Sequence, residues 1–115
     1  MLLQLNASDP RPLHDQVAGG LRRAIAEGRV RPGDRLPPAK DLAEQLDVNP
    51  NTVLRALREL RDEALLEFRR GRGITIAEAA EGRAIVTQAA ADLEALAGKY
   101  GYSRAELISM IERLP

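Results

Sequence analysis

The sequence predicts a mainly α-helical fold with one small β-hairpin, and three observations carry that expectation. A helix that starts at Asn49-Pro50 follows a shorter one after only two residues, Asp47 and Val48. Residues 66–76 read as two short apolar strands around the basic turn Arg70-Gly71-Arg72-Gly73. After Ala77 the apolar residues recur by threes and fours, as along the seam of a packed helix. Two helices joined by so tight a turn form a helix-turn-helix, and the hairpin beside them makes a wing. The expected domains are therefore a winged helix-turn-helix over residues 1–77 and a two-helix tail over residues 78–115.

The elements follow in order. Leu2 to Leu5 is a short apolar run that suits an edge strand, and Asn6 to Arg11 is a polar turn ending at Pro12. From Pro12 to Glu27, Leu13, Val17, Leu21, Ala24 and Ile25 repeat at helical spacing, and Gly28 is placed to end the helix. Gly19 and Gly20 inside it cost about 1 kcal/mol each, so packing must hold this helix. Arg31-Pro32-Gly33-Asp34 is turn chemistry. The second helix runs from Pro37 or Pro38 to Leu46 and buries Leu42, Ala43 and Leu46. Asn49 caps the third helix, and Pro50 suits its first position because a missing N–H has no partner to lose there. Along that helix, to about Glu63, Val53, Ala56, Leu57, Leu60 and Ala64 share one face, while Asn51, Arg55, Arg58 and Asp62 share the other. Leu66 to Arg69 and Ile74 to Ile76 form the hairpin. In the tail, Val86, Ala89, Leu93, Leu96 and Tyr100 line a helix from about Glu81 to Tyr100, which Gly101 can terminate. Ser103 and Glu106 have the capping-box spacing, and Leu107, Ile108, Ile111 and Leu114 give the last helix its apolar face.

Composition removes several classes of function. A chain of 115 residues suits one compact domain with an appendage, and the absence of cysteine excludes disulfides, thiolate chemistry and cysteine-held metals. No run approaches the roughly 20 apolar residues of a membrane span, and Met1 to Leu5 lacks the pattern of a secretory signal, so a cytoplasmic protein without membrane contact is expected. The formal net charge of zero hides an asymmetry. Residues 1–77 carry 13 Lys or Arg against 11 Asp or Glu, and residues 78–115 carry 4 against 6. Aromatic content of 3% disfavours stacking on single strands.

Reading duplex DNA needs donors that reach base edges and cations that neutralise phosphates. Asn51, Thr52 and Arg55 lie in the first two turns of the third helix, the part that enters a groove deepest, and Arg58 lies one turn further along. Asn51 and Arg55 suit base contact, as asparagine pairs bidentately with adenine and arginine with guanine; Thr52 suits phosphate or a thymine methyl. Arg69, Arg70 and Arg72, with Gly71 and Gly73, let the wing backbone approach a phosphate or a minor-groove wall. Lys40 lies near the start of the second helix, where a phosphate contact is favoured. The competing readings are a solvated helix face with an Arg55-Glu59 pair and a basic loop with no partner. His14, the sole histidine, is expected to pack or cap locally. No catalytic group, cofactor-binding motif or metal-ligand cluster is expected.

Pro12 to Val17, Gly28 to Gly33 with Arg35-Leu36-Pro37, the Asn49 to Leu60 helix and Arg69 to Gly73 together resemble the GntR family of bacterial transcription regulators over residues 10–77. The short tail with Tyr100-Gly101-Tyr102-Ser103 and the Asn49-Pro50-Asn51 start are similar to its YtrA-like subfamily. The resemblance implies DNA contacts at Lys40, Asn49, Asn51, Thr52, Arg55, Arg70 and Gly71. It also implies a tail that mediates homodimerisation, here through Val86, Ala89, Leu93, Leu96, Tyr100, Leu107 and Ile111, with no large effector pocket. Many members of that group regulate transporter operons. Several positions depart from the family pattern. Relatives often carry serine at Pro38, arginine at Lys40, Pro50 and Leu54, and glycine at Asp47 and Ala64, so this chain must read its operator through other contacts, Asn51 and Arg55 among them. The expected function is a repressor that binds an inverted-repeat DNA operator as a homodimer, with no cofactor and an unidentified small-molecule effector, if any. The alternative is a winged module that docks another protein without binding DNA.

Overall fold

The computed structural model describes residues 3, 5, 6 and 8–115. Five helices and one hairpin follow in the order α1 (Leu13–Ala26), α2 (Ala39–Leu46), α3 (Pro50–Asp62), β1 (Leu66–Arg69), β2 (Gly73–Ile76), α4 (Ala80–Lys99) and α5 (Arg104–Glu112). Helices α1, α2 and α3 pack around one core that the hairpin closes from the side. Val17, Leu21 and Ile25 of α1, Leu42 of α2, and Val53, Leu57 and Leu60 of α3 are fully buried there, with Leu65, Leu66 and Ile76 from the wing. Each such side chain contributes about 1.5–3 kcal/mol relative to exposure, which holds α1 together despite its two glycines.

Gly20 has a packing role. A Cβ built on Gly20 would stand 3.0 Å from the Leu3 Cβ, so the missing side chain makes room for Leu3, which is buried against the core. This corrects the expected edge strand over residues 2–5. Residues 2 and 4 lie outside the described residues, and Leu3 and Leu5 belong to no strand; they pack as isolated apolar side chains. Gln16 pins the same segment, accepting from the Asn6 N–H at 2.9 Å and donating to the Arg11 carbonyl at 3.1 Å.

The turns agree with their local chemistry, with two exceptions. Asp47 is left-handed at φ 55°, and the Val48 N–H returns to the Ala43 carbonyl at 3.0 Å, which closes α2 and starts α3 at once. Ala64 does not continue the packing face of α3. It follows the helix at φ 64°, exposed, because the chain must reverse there to enter β1. Leu13 departs as well: it is 44% exposed at the start of α1, one turn before Val17, where the helix enters the core. In the hairpin Leu66 pairs with Ile76 and Arg69 with Gly73, antiparallel. A third stretch joins this sheet edge. The Leu36 N–H donates to Ile74 and the Gly33 N–H to Ile76, each at 2.8 Å, and Arg35 bridges Thr75. The expected turn over 31–34 is present, and residues 35–36 extend it into the wing.

Helix α4 packs along α1 through buried Ala80 and Ala84, and α5 folds back on α4. Ser103 Oγ accepts from the Glu106 N–H at 3.2 Å while Glu106 returns to the Ser103 N–H at 3.1 Å, the expected capping box. Arg104 and Glu94 add a bidentate pair across this helical hairpin.

Candidate nucleic-acid interface

Helix α3 begins where its sequence requires. Asn49 is extended, and its Oδ1 accepts the Asn51 N–H at 2.8 Å, with Pro50 in the first turn. One face of α3 is buried through Val53, Ala56, Leu57 and Leu60, which leaves Asn51, Arg55 and Arg58 exposed and Thr52 half-buried. The helix is held at its far end by ion pairing. Arg22 of α1 grips Glu63 with two bonds, Nε to Oε1 at 3.0 Å and Nη2 to Oε2 at 2.7 Å, both side chains largely shielded. Two parallel charge-assisted bonds fix direction as well as distance, so the pair reinforces the α1–α3 packing at this end. Arg83 of α4 donates to the Glu63 carbonyl, which ties the tail to the same point.

The wing presents its cations beyond β1. Gly71 and Gly73 take φ of 80° and 75°, which few other residues adopt, and the Arg72 N–H closes the turn onto the Arg69 carbonyl at 3.0 Å. Arg70 and Arg72 are exposed and make no ion pair among the described residues, as do Lys40 in the first turn of α2 and Arg58. The remaining cations are partly engaged. Arg69 is bound by Glu67 of its own strand, with Nε 2.8 Å from Oε2. Arg55 lies 3.9 Å from Glu59, so the helix-face pair is present, but long and exposed. An exposed pair of this kind contributes about 0.3–0.5 kcal/mol, too little to hold Arg55 against a phosphate or a guanine. Asn49 spends its side-chain oxygen on the cap, which leaves only the amide nitrogen free to donate. Arg35, on the bridge to Thr75, adds an exposed cation that local sequence pattern missed. Arg61 is a further addition: its guanidinium lies 4.9 Å over the Phe68 ring and covers the outer face of β1. Pro38, at the N-cap of α2, makes no side-chain cap bond, as the departure from serine predicts.

The tail presents an exposed apolar stripe. Val86, Leu93, Leu96 and Tyr100 are exposed along α4, as are Ala89 of the same seam and Ile111 on α5. Leu107 differs from the expectation. It is buried where α5 meets α4, because it closes the helical hairpin within the chain.

His14 does pack locally, 15% exposed in the first turn of α1, but it does not pack alone. Its Nδ1 lies 3.2 Å from Asp15 Oδ1 and 3.1 Å from Glu59 Oε1 of α3. Above this point, α1 and α4 enclose a polar groove lined in part by Arg11, Asp15, Arg22, Glu59, Gln88 and Glu94. Arg11 binds Asp9 and holds its carboxyl below the usual range, chiefly by a side-chain hydrogen bond, and Arg104 does the same to Glu94. Among the described residues no helix is long and apolar enough to cross a membrane.

Comparison with known proteins agrees with this arrangement. Residues 13–76 match the family model for bacterial regulatory proteins of the gntR family. Over 80 residues the chain is 35% identical to the HTH-type transcriptional repressor YtrA of Bacillus subtilis, spanning 70% of this chain and 62% of that protein. Over 113 residues it is 32% identical to the HTH-type transcriptional regulator Rv1152 of Mycobacterium tuberculosis, spanning 98% and 93% of the two chains. Among solved structures, YtrA from Sulfolobus acidocaldarius, a GntR-family transcription factor, superposes with a TM-score of 0.64 at 29% identity, over 79% of this chain and 99% of that one. A GntR family transcriptional regulator from Listeria monocytogenes gives 0.67 at 25% identity, over 94% and 99%.

Proposed function

The chain belongs to the gntR family of bacterial regulatory proteins, and from that premise we propose that it is a homodimeric, sequence-specific repressor acting on an inverted-repeat DNA operator in the cytoplasm. The observation that carries this reading is the exposed Asn51, Arg55 and Arg58 face of a firmly seated helix, beside a wing whose Arg70 and Arg72 have no partner among the described residues. Asn51 and Arg55 read bases in the major groove, Thr52 and Lys40 hold phosphates, and the wing adds Arg70, Gly71 and Arg72 against the adjacent backbone or minor groove. Asn49 contributes through its cap and its free amide. Arg69 joins only by leaving Glu67.

Two copies join through the tail, residues 78–115. The stripe of Val86, Ala89, Leu93, Leu96 and Tyr100 on α4 and Ile111 on α5 supports this, as contiguous apolar surface of that kind marks association. A two-fold axis through the tail sets the two reading helices about one helical turn apart, or a multiple of it. The operon so controlled is proposed to encode a transporter, and it should be derepressed when the gene is deleted.

Selection of bound duplexes from random DNA tests the reading in one experiment. The expected product is an inverted repeat with half-sites spaced by whole turns, bound with an affinity that falls steeply as salt rises. A selected site without two-fold symmetry refutes the dimer, and no enrichment over random duplex refutes DNA reading itself. Leu96→Asp, tested by sedimentation, should yield monomers; a dimer that persists places the interface elsewhere.

A further inference from the structure

We propose that His14, Asp15 and Glu59 form a binding site for a divalent transition-metal ion, and that occupancy of this site releases Arg55 from Glu59. The first observation is the state of the imidazole. His14 Nδ1 is buried and makes no hydrogen bond, although one carboxylate oxygen lies at 3.1 Å and another at 3.2 Å. The separations would suit a hydrogen bond, but neither oxygen lies where the ring N–H points. Oxygens beside a ring nitrogen but off its hydrogen-bonding direction leave the in-plane position, where a metal would bind the nitrogen, unclaimed by either.

The two nitrogen–oxygen separations fit such a centre. Ligand atoms about 2.0–2.1 Å from a zinc ion stand about 2.9 Å apart at right angles and about 3.4 Å apart at the tetrahedral angle. Both nitrogen–oxygen distances fall between those limits; the three donor atoms lie within 4.8 Å of one another, wider than the roughly 4.2 Å that opposite ligands of one such ion span, so a carboxylate must swing inward to close the site. The two carboxylates are 47% and 37% exposed, so they can close on an ion while water fills the remaining positions. One imidazole and two carboxylates match zinc and its neighbours in the first transition row better than calcium or magnesium, which take oxygen alone. Two carboxylates beside a neutral imidazole also balance a double positive charge. The other acids lining this groove, Asp9 and Glu94, are already bound by Arg11 and Arg104.

The site joins α1 to the reading helix, and its consequence for DNA rests on the function proposed above. Glu59 is the residue against which Arg55 lies, at 3.9 Å. A bound cation takes the carboxylate and repels the guanidinium, so Arg55 turns outward toward a base edge. The metal thereby acts as a corepressor.

The test uses the full chain without a polyhistidine tag, stripped by chelator and titrated with Zn²⁺ by calorimetry and with Co²⁺ by visible absorption. One ion per chain is expected, with the absorption of nitrogen and oxygen ligation. Because loss of even a second-shell partner weakens metal binding about 10- to 100-fold, His14→Gln and Glu59→Gln should each weaken it at least tenfold, with folding checked by circular dichroism. Absence of saturable binding, or binding that survives both substitutions, overturns the site. Duplex affinity is then measured with and without Zn²⁺. It should rise by about twofold with Zn²⁺ in the unaltered chain, the gain that release from so long and exposed a pair allows, and be insensitive to Zn²⁺ in Glu59→Gln; equal affinity in the unaltered chain with and without Zn²⁺ overturns the release of Arg55. If no duplex is bound under either condition, the repressor reading fails, while the metal titration still decides the site.

Discussion

Ala64 provides a direct measure of backbone strain in this fold. It lies at φ 64°, one residue beyond the C-cap of α3, where the chain reverses into β1. Its N–H is bonded to Arg61 and the next N–H to Leu60, both at 2.9 Å, so the conformation is held from both sides. A left-handed residue with a Cβ costs about 1–2 kcal/mol. Glycine removes that cost, but its freer unfolded chain takes back about 0.4–1 kcal/mol. The Ala64 methyl is exposed, so little burial is lost with it. Ala64→Gly should therefore stabilise the protein by about 0.5–1 kcal/mol, which for a chain of this size is a rise in Tm of about 2–4 °C. Thermal and urea unfolding at one fixed protein concentration measure it. Ala90→Gly, at an exposed position inside α4, is the control and should destabilise by about 1 kcal/mol. Asp47→Gly should gain less than Ala64→Gly, since aspartate tolerates φ 55° better. A lower midpoint for Ala64→Gly, or equal effects at positions 64 and 90, would refute the assignment of strain.

Arg55→Ala should cost about 1–3 kcal/mol of duplex binding and relax preference at one base position, read by competition among operator variants. Arg72→Ala should weaken all duplexes alike and lower the slope of log affinity against log salt by about 1. Asn49→Ala removes the α3 cap and should cost about 1 kcal/mol in urea unfolding. Arg104 holds the Glu94 carboxyl below its ordinary range, so the stabilisation from this pair is complete above the ordinary carboxylate range and is lost as pH falls through the lowered folded value. In Arg104→Ala the Glu94 titration should move back up, followed by carboxyl-carbon NMR; an unmoved titration would mean that Arg104 is not the cause.

What could be read from the sequence was whatever local chemistry decides. Asn49-Pro50 starts α3, Gly28 ends α1, Ser103 with Glu106 starts α5, and the two glycines of the wing turn lie where positive φ is needed, because each outcome depends on residues within four positions. Burial was legible where it followed helical period, as in Val53, Ala56, Leu57 and Leu60. Contacts across long stretches of chain were not. Residues 33–36 join β2 some forty positions away, and nothing in Gly33 to Leu36 announces a strand. Leu3 fills the space left by Gly20, which local propensity alone marks as a defect. His14 meets Glu59 only because α1 and α3 pack together. Leu107 has the spacing of an exposed seam and yet is consumed within its own hairpin.

Helix α1 is the common neighbour of the other parts. It packs on α3 along one side and on the tail helix α4 along another, while α4 reaches α3 mainly at the Glu63 end through Arg83. In the proposed dimer, a tail that sets the distance between two subunits therefore sets the distance between their α3 helices mainly through α1, with Arg83 as a second tie. The Arg22–Glu63 fork makes that transmission stiff, since two parallel bonds resist rotation as well as separation. The polar groove between α1 and α4, and the His14–Glu59 contact between α1 and α3, lie on the two joints of this linkage. A ligand at either joint needs to move no domain to act. It need only change, by a small angle, how one helix is seated against its two neighbours.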